Sequence, residues 1–274
     1  MNLLRAIPGA LALTAALLGQ ELPGPGELSV WPTRLLFEGR TRSLEIQVRN
    51  TGMKEATYRI SFQNLLMTED GSLAESEAFP ASAAPLLRFS PRQVLLAAGE
   101  AQVVRLQLRK PENLAEGEYR IHLLFRAVPP PEATVPPPGP EQGVRMQLTP
   151  VPGLAIPVEV RHGTLKSACH LEQVRLQAGA TPQLEAVVVQ DGRVGLRGTL
   201  KLVALRPGAP EQEVANQDFV HYADLPRQRV RIPIPPPVPP QKPLHSGPLR
   251  LLLMGEDGKT LLSSHDLPAI QAGS

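Results

Sequence analysis

Apolar and polar residues alternate with a period of two along most of this chain, the mark of strands that bury one face. Leu44, Ile46 and Val48 alternate with Glu45, Gln47 and Arg49, and the run ends at the turn signal Asn50-Thr51-Gly52. Tyr58, Ile60 and Phe62 alternate with Arg59 and Ser61, and Val104, Leu106 and Leu108 with Arg105, Gln107 and Arg109. Tyr119, Ile121, Leu123 and Phe125 alternate with Arg120, His122, Leu124 and Arg126. Leu28, Val30, Leu35 and Phe37 punctuate a first segment, and Val94–Leu96 precedes a turn at Ala98-Gly99-Glu100. No long stretch favours the 3.6-residue period of a helix. Turns every ten to twenty residues predict an all-β protein built as antiparallel sandwiches.

The pattern is interrupted twice by proline. Pro129–Gly143 is a proline-rich loop that cannot donate a continuous ladder, and Pro235–Pro243 is a second such run. After the first, Val144, Met146 and Leu148 alternate with Arg145 and Gln147, and Leu154, Ile156, Val158 and Val160 resume the pattern. Arg161-His162-Gly163 reads as a linker. The second half restarts with Leu184–Gln190, Leu200–Leu205 and Val230–Ile234, then Leu249–Met254 and Leu261–Leu267 around the hairpin signal Glu256-Asp257-Gly258. The expected organisation is a first β-sandwich over residues 27–160 and a second over 164–272.

Composition narrows the function classes. The 31 prolines and 22 glycines of the 274 residues stay below the roughly 25–30% share that marks low-complexity disorder. The net charge is +2, and the 22 arginines and 6 lysines are scattered, so a nucleic-acid footprint is absent from the pattern. One cysteine, Cys169, excludes an intrachain disulfide framework. No G-x-S-x-G, phosphate-binding glycine loop or H-E-x-x-H occurs, and the six histidines are dispersed, so neither an enzyme nor a metal or other cofactor is expected. Cys169-His170 reads as a core cysteine beside an outward histidine, and Glu69-Asp70 and Glu256-Asp257 as turn residues. Met1–Gly19 reads as an export signal: Arg5 precedes an apolar stretch, Ile7–Leu18, that is shorter than the ~20 residues needed to span a bilayer. No stable membrane insertion is expected.

Five pieces occur in order: Leu28–Phe37 (LSVWPTRLLF), Leu44–Asn50, Leu87–Leu108, Gly117–Pro130 (GEYRIHLLFRAVPP) and Gly153–Gly163 (GLAIPVEVRHG). Together, across about half the chain, they resemble the N-terminal immunoglobulin-like domain of periplasmic pilus chaperones of the chaperone–usher pathway. The resemblance implies two immunoglobulin-like domains and donor-strand complementation of pilin-like subunits, which are then delivered to an outer-membrane usher. Thr33-Arg34-Leu35 matches the segment whose arginine anchors the subunit's C-terminal carboxylate. The family's companion lysine falls at Gly153, which has no side chain to offer. Val144, Met146 and Leu148 match the donor strand; the rival reading has them in their own core. Glu118 matches the acidic member of the hinge pair, while its arginine partner falls at Pro157, leaving Arg161 as a candidate. The alternative function is a secreted structural or adhesive protein of two such domains.

Overall fold

The computed structural model describes residues 27–129, 153–177, 182–206, 208, 210–235 and 247–268. The first unit contains β1 (Leu28–Trp31), β2 (Leu35–Phe37), β3 (Ser43–Asn50), β4 (Ala56–Gln63), β5 (Leu65–Met67) and β6 (Leu73–Glu75). It continues with β7 (Leu87–Ser90), β8 (Gln93–Leu96), β9 (Ala101–Leu108), β10 (Gly117–Val128) and β11 (Gly153–His162). The second contains β12 (Cys169–Gln177), β13 (Gln183–Gln190), β14 (Leu196–Ala204), β15 (Gln212–His221), β16 (Arg227–Pro233), β17 (Leu249–Gly255) and β18 (Leu261–Leu267).

Both units are immunoglobulin-like sandwiches. In the first, a sheet in the order β1-β3-β9-β7 faces one in the order β2-β11-β10-β4-β8. In the second, β12-β13-β16 faces β15-β14-β17-β18. Each has its own core. Phe37, Ile46, Tyr58, Leu96, Leu106, Leu123, Phe125 and Val158 are among the buried residues of the first. Leu184, Leu200, Leu202, Ile232, Leu251 and Leu253 are among those of the second. The inward positions in β3, β4, β9 and β10 are the apolar members of the alternating pairs, because only that face is shielded from water.

Several expectations are corrected. The opening segment is two strands in different sheets, β1 on β3 and β2 parallel to β11, parted by the cis Trp31–Pro32 bond. Arg161 and His162 are the end of β11 rather than a linker, since they pair with Glu118 and Gly117 of β10. Leu154, read as core, is 37% exposed, because it stands at the outer end of the sandwich. Arg120 and His122, placed by alternation on a solvent face, are 2% and 1% exposed, because the second unit covers that part of the sheet. Strands β12 and β15 escaped the pattern reading: both are sheet edges, and β12 carries a bulge around Gln173 (φ 50°) that breaks its alternation. Cys169 is half-buried against the second core, and burial pushes its thiol up to about 11, so it is an unreactive packing residue. Residues 1–19, the loop 130–143 and the donor candidates Val144, Met146 and Leu148 lie outside the described residues.

Candidate functional site

The outward face of β10 and β11 is where the two units meet. The antiparallel register sets Glu118 opposite Arg161, Arg120 opposite Glu159, and His122 opposite Pro157. These side chains share one face because they sit two residues apart along each strand. The parallel pairing of Val158 with Leu35 places Arg34 at the same level.

Charges in this buried junction are all partnered. Arg34 donates from Nε at 3.1 Å and Nη2 at 2.7 Å to one oxygen of Glu159. Arg197 of β14 donates to its other oxygen at 2.6 Å. Burial pushes the Glu159 carboxyl up, but Arg197 and Arg34 outweigh it and hold the group below the usual carboxylate range. Nη1 of Arg34 reaches both oxygens of Glu256, in the β17–β18 turn, at 3.1 Å.

A second cluster joins the units beside the first. Arg161 Nε donates to Glu118 at 2.8 Å, and the other oxygen of Glu118 accepts the Gly195 N–H at 3.0 Å. A Cβ on Gly195 would stand 2.9 Å from that oxygen and 3.0 Å from the His221 carbonyl, so only glycine permits this approach. Burial, opposed by the Arg161 hydrogen bond, raises the Glu118 carboxyl above its ordinary value. Further along, Arg120 donates to Asp224 at 2.7 Å and to the Leu65 carbonyl at 2.6 Å, with its guanidinium 3.7 Å from the Tyr222 ring centroid. His122 packs edge-on to Tyr222; burial and then the Arg120 charge lower its pKa to about 4, so it is neutral. The β5–β6 hairpin adds an apolar strap: Met67 packs with Tyr222 and Leu225, and the Arg229 N–H donates to the Glu69 carbonyl at 2.6 Å.

Of the residues singled out by sequence, Arg34, Glu118 and Arg161 come together here. Gly153 does not: it pairs with Arg126, about 20 Å of strand from Glu159. Glu118 finds its arginine at Arg161, four residues beyond Pro157. Glu159, Arg197, Glu256, Arg120, His122, Asp224 and Tyr222 were not foreseen. The sequence offered one signal for Glu159: a carboxylate flanked by Val158 and Val160 on an outward position of a strand.

The other half of β11 is different. β10 pairs with all of Gly153–His162, but β2 covers only Val158–Val160. Among the described residues, the second edge of Gly153–Pro157 is unpaired. An unpaired edge is a template for another strand. No group of His, Cys, Asp or Glu among the described residues is placed to hold a metal ion. No helix among them is long and apolar enough to cross a membrane.

No family model matches the sequence, and no curated protein does. Solved structures similar to it include the class 5 fimbriae chaperone CfaA, at 13% identity over 89% of this chain and 100% of that chain, with a TM-score of 0.46. A chain of the CsuC–CsuE chaperone–tip adhesion subunit pre-assembly complex from archaic chaperone–usher Csu pili of Acinetobacter baumannii is 15% identical over 89% of this chain and 100% of that one, with a TM-score of 0.45. The periplasmic chaperone SfaE is 11% identical over 88% of this chain and 98% of its own, with a TM-score of 0.42. These likenesses are distant; the immunoglobulin-like fold stands on the strand order of this chain. These three are structures of fimbrial or pilus chaperones, alone or in complex.

Proposed function

We propose that this chain is a periplasmic chaperone of the chaperone–usher type, which captures pilin-like subunits by adding a strand to them and delivers them to an outer-membrane usher. The observation that carries this reading is the edge of β11 at Gly153–Pro157, unpaired among the described residues, which in sequence follows the alternating segment Val144, Met146 and Leu148. A strand added there gains main-chain hydrogen bonds, while alternate side chains of the donor fill successive pockets of an incomplete sandwich. Each apolar side chain so buried contributes on the order of 1.5–3 kcal/mol. Arg34 stands at the inner end of the open edge, where a captured strand running parallel to β11 would end in its terminal carboxylate. Glu118 and Arg161 join the sandwiches behind it. The reading requires no cofactor and no catalytic step.

The test is co-expression in the periplasm with a pilin-like subunit that lacks its own final strand. Wild-type protein captures it; the double variant Met146→Asp with Leu148→Asp does not, and its melting temperature is unchanged. A double variant that unfolds shows that these residues belong to the chain's own core and overturns strand donation. Wild-type protein that captures no such subunit favours the structural or adhesive alternative.

A further inference from the structure

Arg34 carries two carboxylates of unlike character. Its Nε–Nη2 edge is committed to Glu159, which is 2% exposed and closed on its other side by Arg197. Its remaining nitrogen, Nη1, holds Glu256, which is 67% exposed in a turn of the second unit. Both Glu256 oxygens sit at the same 3.1 Å from that single nitrogen, so the pair lacks the two parallel hydrogen bonds of a fork. An exposed carboxylate held in this way is a weak ligand.

The charge balance distinguishes the two as well. Glu118 and, at 3.7 Å, Glu38 answer Arg161, whereas Glu159 is shared by Arg34 and Arg197 and neutralises one charge of that pair. One positive charge is left, and Glu256 answers it; among the described residues Arg34 pairs with no third carboxylate. Arg34, Arg161, Arg197, Gly195 and Glu256 line a cleft of about 190 Å³ between the units. It admits one more small anionic group, since a water takes about 30 Å³.

We infer that Glu256 is a stand-in ligand: it occupies the place on Arg34 that the C-terminal carboxylate of a captured subunit takes, and it swings out when that carboxylate arrives. This rests on the strand-adding reading above and adds to it the group that is displaced. The open edge explains why a terminus comes to this point. β2 runs parallel to β11 and begins at Leu35, opposite Val158. A foreign strand laid parallel along Gly153–Pro157 is therefore in line with β2 and must stop before it, at Arg34. The exchange replaces one carboxylate by another, so Nη1 of Arg34 is never left unpaired. It also releases a link between the units, because Arg34 belongs to the first and Glu256 to the second. A chain ending in an amide brings no charge and cannot make the exchange.

The probes are an acetylated nonapeptide of alternating valine and serine with a free C-terminal carboxylate, and the same peptide as its amide. Affinities are measured for the wild-type chain and for Glu256→Gln, which keeps the side chain's shape. The variant binds the acid peptide about two- to five-fold more tightly and the amide unchanged. In the wild type, the carboxyl ¹³C signal of Glu256 moves on adding the acid and stays on adding the amide. Suppose the wild type prefers the acid, Glu256→Gln binds it no more tightly, and the Glu256 signal stays put. The stand-in is then overturned and the strand-adding reading survives. Equal binding of acid and amide by both proteins removes Arg34 as a carboxylate anchor and the stand-in with it. If neither peptide binds either protein, the strand-adding reading itself is overturned.

Discussion

The face that β10 and β11 turn away from their own core has two halves. Toward the second unit it presents Glu118, Arg120, His122, Glu159 and Arg161; away from it, Leu124, Arg126, Val128 and Gly153. The alternation is the same in both. In the first half Arg120, His122 and Glu159 are at most 2% exposed, whereas Val128 in the second is 36% exposed and Arg126 is open to water. Strand periodicity thus fixes which face a residue is on, and a neighbour decides whether that face is wet. Once it is dry, each charge needs a partner. Arg120 has Asp224, Glu118 has Arg161, and Glu159 has both Arg34 and Arg197. The wet half makes no such demand and keeps apolar positions and, among the described residues, an unpaired backbone edge.

The largest test of this contrast is Glu159→Ala. It leaves two guanidiniums facing each other in the junction, and the expected loss is about 3–5 kcal/mol of unfolding free energy in urea titration. A loss below about 1 kcal/mol would mean that water reaches the junction freely.

Acid gives a second measure. His122 has a folded-state pKa of about 4 against an ordinary value of 6.5, so the unfolded chain binds its proton first. Stability from this group is complete above about pH 6.5 and is lost as pH falls toward about 4, on the order of 3 kcal/mol in all. Glu159, whose pKa is lowered, adds its loss only below the ordinary carboxylate range. Denaturation between pH 7 and 4 should therefore show a fall in stability that His122→Gln flattens. An identical pH profile in the variant would place the imidazole in contact with water.

The smallest effect is expected on the wet half. Arg126→Ala should change stability by no more than about 0.5 kcal/mol in the same titration. A change as large as that of Glu159→Ala would show that the two halves are not different environments.

Much of this architecture was legible in the residues themselves. Period-two alternation in 44–49, 58–62, 104–109 and 119–126 identified strands with one buried face, and the apolar members of those runs are the core. The turn at Asn50-Thr51-Gly52 and the hairpin at Glu256-Asp257-Gly258 were legible because turn chemistry is local. Edge strands β12 and β15 were not, since an edge buries fewer side chains and a bulge spoils the period. Arg34, Glu118 and Arg161 could be named from sequence. Their company could not: Arg34 meets Arg197 and Glu256 across 163 and 222 residues of chain, through a shared carboxylate and a distant turn. Local sequence sets propensity and face, because those depend on neighbours in the chain. Burial, charge pairing and which strand edge stays open depend on how one sandwich lies against the other, and only the tertiary structure decided those.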